Sequence, residues 1–183
     1  MTSIYDRVTA CLYPFSGLSH IDPEILANAA ERGTKVHEIC DAMMNDIGVF
    51  NISDTYEGYI NSFTQWIPGK KFVARPSRFY CDKYYISGEI DGLYKEKDGY
   101  VLFDIKTPAR ESKTWMLQGS AYSYLAKQAG FNIIRIEFIK LDKTGKEPKV
   151  FTYKEDFNAF VNCLEVYRYF YKTDNKENYL DFM

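Results

Sequence analysis

Two short runs carry the residues best suited to chemistry, Gly88-Glu89-Ile90-Asp91-Gly92 and Asp104-Ile105-Lys106-Thr107. Each lies in a stretch that reads as a β-strand. Side chains alternate along a strand, so Asp104 and Lys106 leave the same face. Asp91 reaches that face if the two strands pair as a hairpin. Two carboxylates and an ammonium then meet at one point. Such a group can hold a divalent metal and activate a water beside it. The plainer alternative is a strand-end salt bridge of Lys106 with Asp104 or Asp91.

The elements that must position these residues follow from pattern. Asp22-Pro23 starts a long helix, with Asp22 as N-cap and Pro23 at the first helical position, running to about Asp46. Its apolar residues Ile25, Leu26, Ala29, Ala30, Val36, Ile39, Cys40 and Met43 recur at helical spacing. Gly33 interrupts it at a cost of ~1 kcal/mol relative to Ala, which suggests a close contact with a backbone or a ligand. Ser53-Asp54 caps a second helix ending at Trp66, before Pro68-Gly69.

Strands are expected over 72–75, 78–86, 88–95 and 100–106, the last two joined by the Lys97-Asp98-Gly99 turn. Val101, Phe103 and Ile105 then face the core, and Leu102, Asp104 and Lys106 face the other way. A helix from Ser112 to Gln128 follows, then strands over Asn132–Leu141 and Lys149–Lys154, then a helix from Glu155 to Lys172. That last helix presents Phe157, Phe160, Val161, Leu164, Val166 and Tyr167. Residues 2–18 are mixed, and Pro14 and Gly17 break any regular element there. This order implies an α/β fold in which a central mixed β-sheet is flanked by helices. We expect one domain over 1–183: a mostly helical part to residue 70, a sheet core with flanking helices over 71–172, and a polar tail over 173–183.

A net charge of −2 excludes a bulk polycation, so nucleic-acid binding would need local basic patches and a bound metal. One patch gathers Lys70, Lys71, Arg75, Arg78 and Lys83, although taken alone a solvated surface is the preferred explanation. Cys11, Cys40, Cys81 and Cys163 have no C-x-x-C spacing, which argues for reduced, mostly buried thiols in a cytoplasmic protein and against a zinc knuckle. No signal peptide or membrane span is expected.

Two further groups bear on the site. His37, one of two histidines, lies four residues after Gly33 on the long helix and is a third candidate ligand. Trp115, Gln118 and Tyr122 share a helical face. For Trp115 packing is the preferred role, whereas Gln118, polar amid that stripe, needs a partner such as Lys106, a phosphate or a water.

Taken in order, Arg32-Gly33-Thr34-Lys35-Val36-His37, Gly88-Glu89-Ile90-Asp91, Asp104-Ile105-Lys106-Thr107 and Gln118-Gly119-Ser120-Ala121-Tyr122 resemble the PD-(D/E)xK nuclease superfamily, in its RecB-like, phage-type exonuclease branch. The likeness extends over roughly half of the chain, and the phrases Arg7-Val8-Thr9 and Asn28 to Thr34 are similar to phage or prophage members. It implies a restriction-endonuclease-like core and a metal-dependent DNA exonuclease working in recombination or end processing. It also implies one or two Mg²⁺ or Mn²⁺ ions held by His37, Asp91, Asp104 and the backbone carbonyl of Ile105. Lys106 would act on the nucleophilic water, and Gln118 and Tyr122 would position Lys106, the water or the phosphate.

The implied partners are single- or double-stranded DNA at its ends, a recombination protein and further copies of the chain. The setting would be the cytoplasm of a bacterium or of a phage-infected host. A structure-specific endonuclease of the same fold and a non-catalytic DNA-binding or assembly protein are the alternatives. The extra acid that many relatives carry before G-x-x-D is missing at Arg75-Pro76-Ser77-Arg78, and Glu89, two residues before Asp91 on the same strand face, is either a substitute or a surface residue, which bears on the number of metals. Only Cys163 lies near the C-terminus, so no iron–sulfur cluster is expected.

Overall fold

A computed structural model describes residues 4–48, 51–74 and 76–172. Arg75 of the basic patch and the tail over 173–183 lie outside the described residues. The described elements are β1 (Asp6–Arg7), α1 (Val8–Leu12), α2 (Pro23–Met44), α3 (Asp54–Trp66), β2 (Lys71–Ala74), β3 (Ser77–Cys81), β4 (Ile86–Ile90), β5 (Gly92–Glu96), β6 (Gly99–Lys106), α4 (Thr114–Gln128), β7 (Ile133–Lys140), β8 (Lys149–Tyr153) and α5 (Phe157–Tyr171).

Helix starts follow local chemistry. Asp22 accepts the Glu24 N–H at 2.7 Å, Ser53 accepts that of Thr55 at 3.4 Å, and Asp156 accepts that of Ala159 at 3.0 Å. Each satisfies a donor that the first helical turn leaves free.

The strands form a five-stranded sheet of order β2-β5-β6-β7-β8 and a three-stranded sheet of order β1-β4-β3. β6 lies at the centre of the larger sheet, antiparallel to β5 and parallel to β7, with Asp104 opposite Phe138. Alternation along β6 splits the core in two. Val101, Phe103 and Ile105 pack with Val36 and Cys40 of α2 and with Phe63 and Trp66 of α3. Leu102 packs with α1, α4, α5 and the smaller sheet. Phe63 and Phe103 are wholly buried. Truncating either to Ala would cost about 3–5 kcal/mol.

Several expectations need correction. The strand expected over 78–86 turns between Cys81 and Ile86, where Tyr85 takes a left-handed φ of 47°. The strand expected over 88–95 is two strands, because the chain leaves the smaller sheet after Ile90 and enters the larger one at Gly92. Asp91 occupies that corner. The irregular start contains β1, paired in parallel with β4, and α1, which buries Val8, Cys11 and Leu12 before Pro14 ends the regular helix. Ile25 and Val166, expected on buried faces, are exposed.

Cys11, Cys40 and Cys81 are buried free thiols, and Cys163 is half-buried. Burial pushes the Cys11 thiol up to about 12. Among the described residues, no helix is long and apolar enough to cross a membrane.

Candidate active site

The corner at Asp91 and the end of β6 open onto one cleft of about 730 Å³. Asp91, Asp104, Ile105, Lys106, Gln118, Tyr122 and His37 all line it. The corner places Asp91 just beyond the Gly92–Phe103 pair, next to Asp104. One Asp91 oxygen accepts the Ile105 N–H at 2.6 Å, and the other lies 3.1 Å from His37 Nδ1. Lys106 Nζ lies 2.6 Å from Asp104 Oδ2 and donates to Gln118 Oε1 at 3.1 Å. Gln118 Nε2 donates to Asp104 Oδ1 at 3.0 Å. The glutamine amide therefore ties the ends of the D-x-K pair together with both of its polar atoms.

Two glycines seat the helix that carries Gln118. A Cβ at Gly119 would stand 2.7 Å from Ile136, so α4 lies against β7. A Cβ at Gly88 would stand 2.7 Å from the Tyr122 ring. Gly88 thus makes room for Tyr122. Gly33 makes no close approach to another backbone among the described residues, since its Cβ would meet only Thr107 Oγ1, at 3.7 Å. No contact among the described residues requires glycine there, and it borders the cleft. Trp115 packs as expected, stacked on Phe138 with centroids 5.7 Å apart. The Lys106 ammonium stands 5.2 Å from the Phe138 ring, above that aromatic floor.

The two carboxylates are tuned in opposite directions. Burial pushes both up. For Asp91 the His37 imidazole, the Ile105 N–H and the Lys106 charge outweigh burial and hold it below the usual range. For Asp104 burial wins over Lys106, assisted by repulsion from Asp91, and the carboxyl rises to about 6. Burial lowers His37, but the charge and hydrogen bond of Asp91 outweigh it and leave the imidazole raised. Burial, then the charge of Asp104, raises the Tyr122 phenol, so it stays protonated at neutral pH.

Asp104 Oδ2 is buried, and its close partner among the described residues is the Lys106 ammonium at 2.6 Å. Among the described residues, no group of three or more His, Cys, Asp and Glu side chains is arranged to hold a metal. The donors are nonetheless of the right kind. Two adjacent carboxylates and a backbone carbonyl are hard oxygens, which Mg²⁺ and Mn²⁺ prefer, and an imidazole suits Mn²⁺. A buried carboxylate oxygen met only by Lys106 keeps acceptor capacity at the cleft, and it is the atom such an ion would reach.

Other residues stand apart from the sequence reading. Glu89 sits at the cleft rim, exposed and in an ion pair with Arg78. The bend at Asp91 ends the shared strand face that linked the two acids in the sequence. Lys70 lies over the Trp66 ring at 4.4 Å and Lys83 beside Tyr84 at 5.2 Å, so with Arg78 paired, these members of the basic patch are individually engaged. His20 ends a short 3-10 turn and does not line the cleft. Arg7, Thr34 and Ser87 line it although sequence reasoning gave them no role there. The helical spacing of Val8, Cys11 and Leu12 was the available signal for the element beside Arg7.

The fold is an α/β core in which a mixed sheet is flanked by helices, as the restriction-endonuclease-like expectation has it. Solved structures of exonucleases share it. An alkaline exonuclease from Laribacter hongkongensis matches with a TM-score of 0.51 and 11% identity, over 90% of this chain and 86% of that one. A candidate exonuclease from Eubacterium rectale matches with a TM-score of 0.52 and 9% identity, over 92% and 79%. The protein SSO0001 matches with a TM-score of 0.53 and 13% identity, over 94% and 79%. At these identities the likeness establishes the fold alone. No family model matches the sequence, and no curated protein matches it significantly.

Proposed function

We propose that the chain is a metal-dependent DNA exonuclease of the PD-(D/E)xK superfamily, in its RecB-like, phage-type branch, acting on DNA ends in recombination or end processing. The observation that carries this reading is the meeting of Asp91, Asp104 and Lys106, with His37 and Gln118, in one open cleft. Exonuclease structures of the same fold support it.

Asp91, Asp104, the Ile105 carbonyl and His37 would hold one or two Mg²⁺ or Mn²⁺ ions. Bound there, the metal supplies a hydroxide-like water at neutral pH and neutralises charge on the phosphate. Asp91 stays ionised through its partners, so it is ready to ligate at neutral pH. Lys106 orients the attacking water and stabilises the negative charge that builds on the phosphate. Gln118 keeps Lys106 and Asp104 in register. Tyr122 offers a protonated phenol that hydrogen-bonds a phosphate oxygen.

The test uses purified protein with linear and closed circular DNA in Mg²⁺ or Mn²⁺. Linear DNA should be degraded and the closed circle left intact. Asp104→Ala and Lys106→Ala should abolish the activity. A wild-type protein inert on single strands, duplexes, ends and nicks overturns the proposal, and cleavage of the closed circle turns it into an endonuclease.

A further inference from the structure

A second groove of about 600 Å³ adjoins the active-site cleft, and Arg7 and Thr9 line both. We propose that this groove receives the single-stranded end of the nucleic acid held in the cleft, by stacking its bases on Tyr13, Tyr167 and Tyr171. The inference rests on the nuclease reading above and adds the form of substrate.

Three observations support this occupant. The first is continuity, because a strand leaving the cleft past Arg7 and Thr9 enters the groove directly. The second is charge. Arg7 is exposed on the shared wall and makes no ion pair among the described residues, whereas Arg168 and Lys172 nearby are both tied to Asp6. An unneutralised guanidinium between two clefts favours a polyanion spanning them. The third is the rings. Tyr13 and Tyr171 are 50% and 63% exposed, and Tyr171 stacks on Tyr167 with centroids 5.4 Å apart. Exposed aromatic faces beside a cation are the usual platform for unpaired bases, each base contributing about 1–3 kcal/mol without regard to sequence.

The rival occupant is the chain's own segment after Lys172, which continues from the groove into residues outside those described.

The experiment measures fluorescence anisotropy of labelled oligothymidylates in EDTA, so that binding is read without cleavage. The full-length wild type is compared with a Tyr13→Ala/Tyr171→Ala variant and a Tyr13→Phe/Tyr171→Phe variant. Both tyrosines are exposed, and unchanged thermal midpoints check folding. For an oligomer of about ten nucleotides the alanine variant should bind roughly 10- to 100-fold more weakly, and the phenylalanine variant within about twofold of wild type. For an oligomer of about three nucleotides, which fits the cleft alone, all three should agree within about twofold.

Equal binding of the longer oligomer by wild type and the alanine variant overturns the proposal, and is what a groove filled by the chain's own segment predicts. Equal losses in the phenylalanine and alanine variants overturn it too, because stacking needs only the ring. If the wild type degrades linear DNA in Mg²⁺ while the alanine variant binds normally, this inference alone falls. If the wild type binds no oligomer and cleaves nothing, the nuclease reading falls with it.

Discussion

Two charged clusters sit on opposite faces of the β5–β6–β7 strands and are balanced differently. On the face toward α2 and α3, Arg135 donates to Glu137 at 2.7 Å, to Glu96 at 3.1 Å and to the Tyr94 hydroxyl at 3.1 Å. Tyr94 in turn donates to Glu137 at 2.9 Å. Each charge there has a directed partner. On the other face one buried Asp104 oxygen is met by the Lys106 ammonium alone, beside a second carboxylate. A closed network holds a fold together. An open one leaves the binding capacity that a ligand completes, at a cost to the free protein. The difference is the one expected between an architectural cluster and the proposed site.

The largest effect should come from the open cluster. Asp104→Ala or Lys106→Ala should lower cleavage of linear DNA by roughly 10³-fold or more while circular dichroism stays native. Equal cleavage by either variant would erase the functional half of the contrast.

Arg135→Ala should do the reverse. It strands Glu137, which is buried, and half-exposed Glu96, so urea unfolding should show a loss of about 1–3 kcal/mol. Oligonucleotide affinity should be unchanged. A large loss of affinity with normal stability would mean that the closed network also serves the substrate.

Asp104 of the open cluster and Glu96 of the closed one should contribute to the pH dependence of stability with opposite signs in the metal-free protein. Asp104 is raised from 3.8 to about 6, so its contribution to stability is present below pH 3.8 and is lost as pH rises toward 6. In EDTA, Asp104→Asn should therefore gain on wild type between pH 4 and pH 7, by on the order of 2 kcal/mol. Glu96 is lowered from 4.5 by the Arg135 hydrogen bond, so its contribution is present above that value and is lost as pH falls below it. The disadvantage of Glu96→Gln should accordingly shrink in acid. Denaturation at several pH values reads both, and slopes of the same sign would remove the distinction.

The smallest effect is expected at Gly33. Since an added Cβ meets only Thr107 Oγ1, Gly33→Ala should stabilise α2 by up to ~1 kcal/mol. If the cleft is occupied as proposed, the same methyl should weaken oligonucleotide binding. Greater stability with unaltered binding would place the ligand away from α2.

Much of this contrast was legible in local pattern, and part was not. The D-x-K spacing put Asp104 and Lys106 on one face of β6, and Lys97-Asp98-Gly99 announced the hairpin that brings Asp91 near them. Asp22-Pro23 and Ser53-Asp54 marked the starts of α2 and α3 by side-chain capping. The closed network was not legible, since Tyr94, Glu96, Arg135 and Glu137 sit on two strands that are not neighbours in the sheet and meet only across β6. The pairing of Glu89 was not legible for a related reason, because its partner Arg78 comes from the register of β3 on β4.

By itself the sequence determined the periods: which residues share a face, where helices begin, and which residue types could bind a metal. These depend on backbone geometry within a few residues. Only the tertiary structure decided that the chain changes sheets at Asp91, that His37 of α2 meets that corner, and that Gln118 bridges Lys106 and Asp104. It also decided that one acid is held ionised while its neighbour is raised. Those outcomes depend on burial and on charges brought together from distant parts of the chain, which no local period encodes.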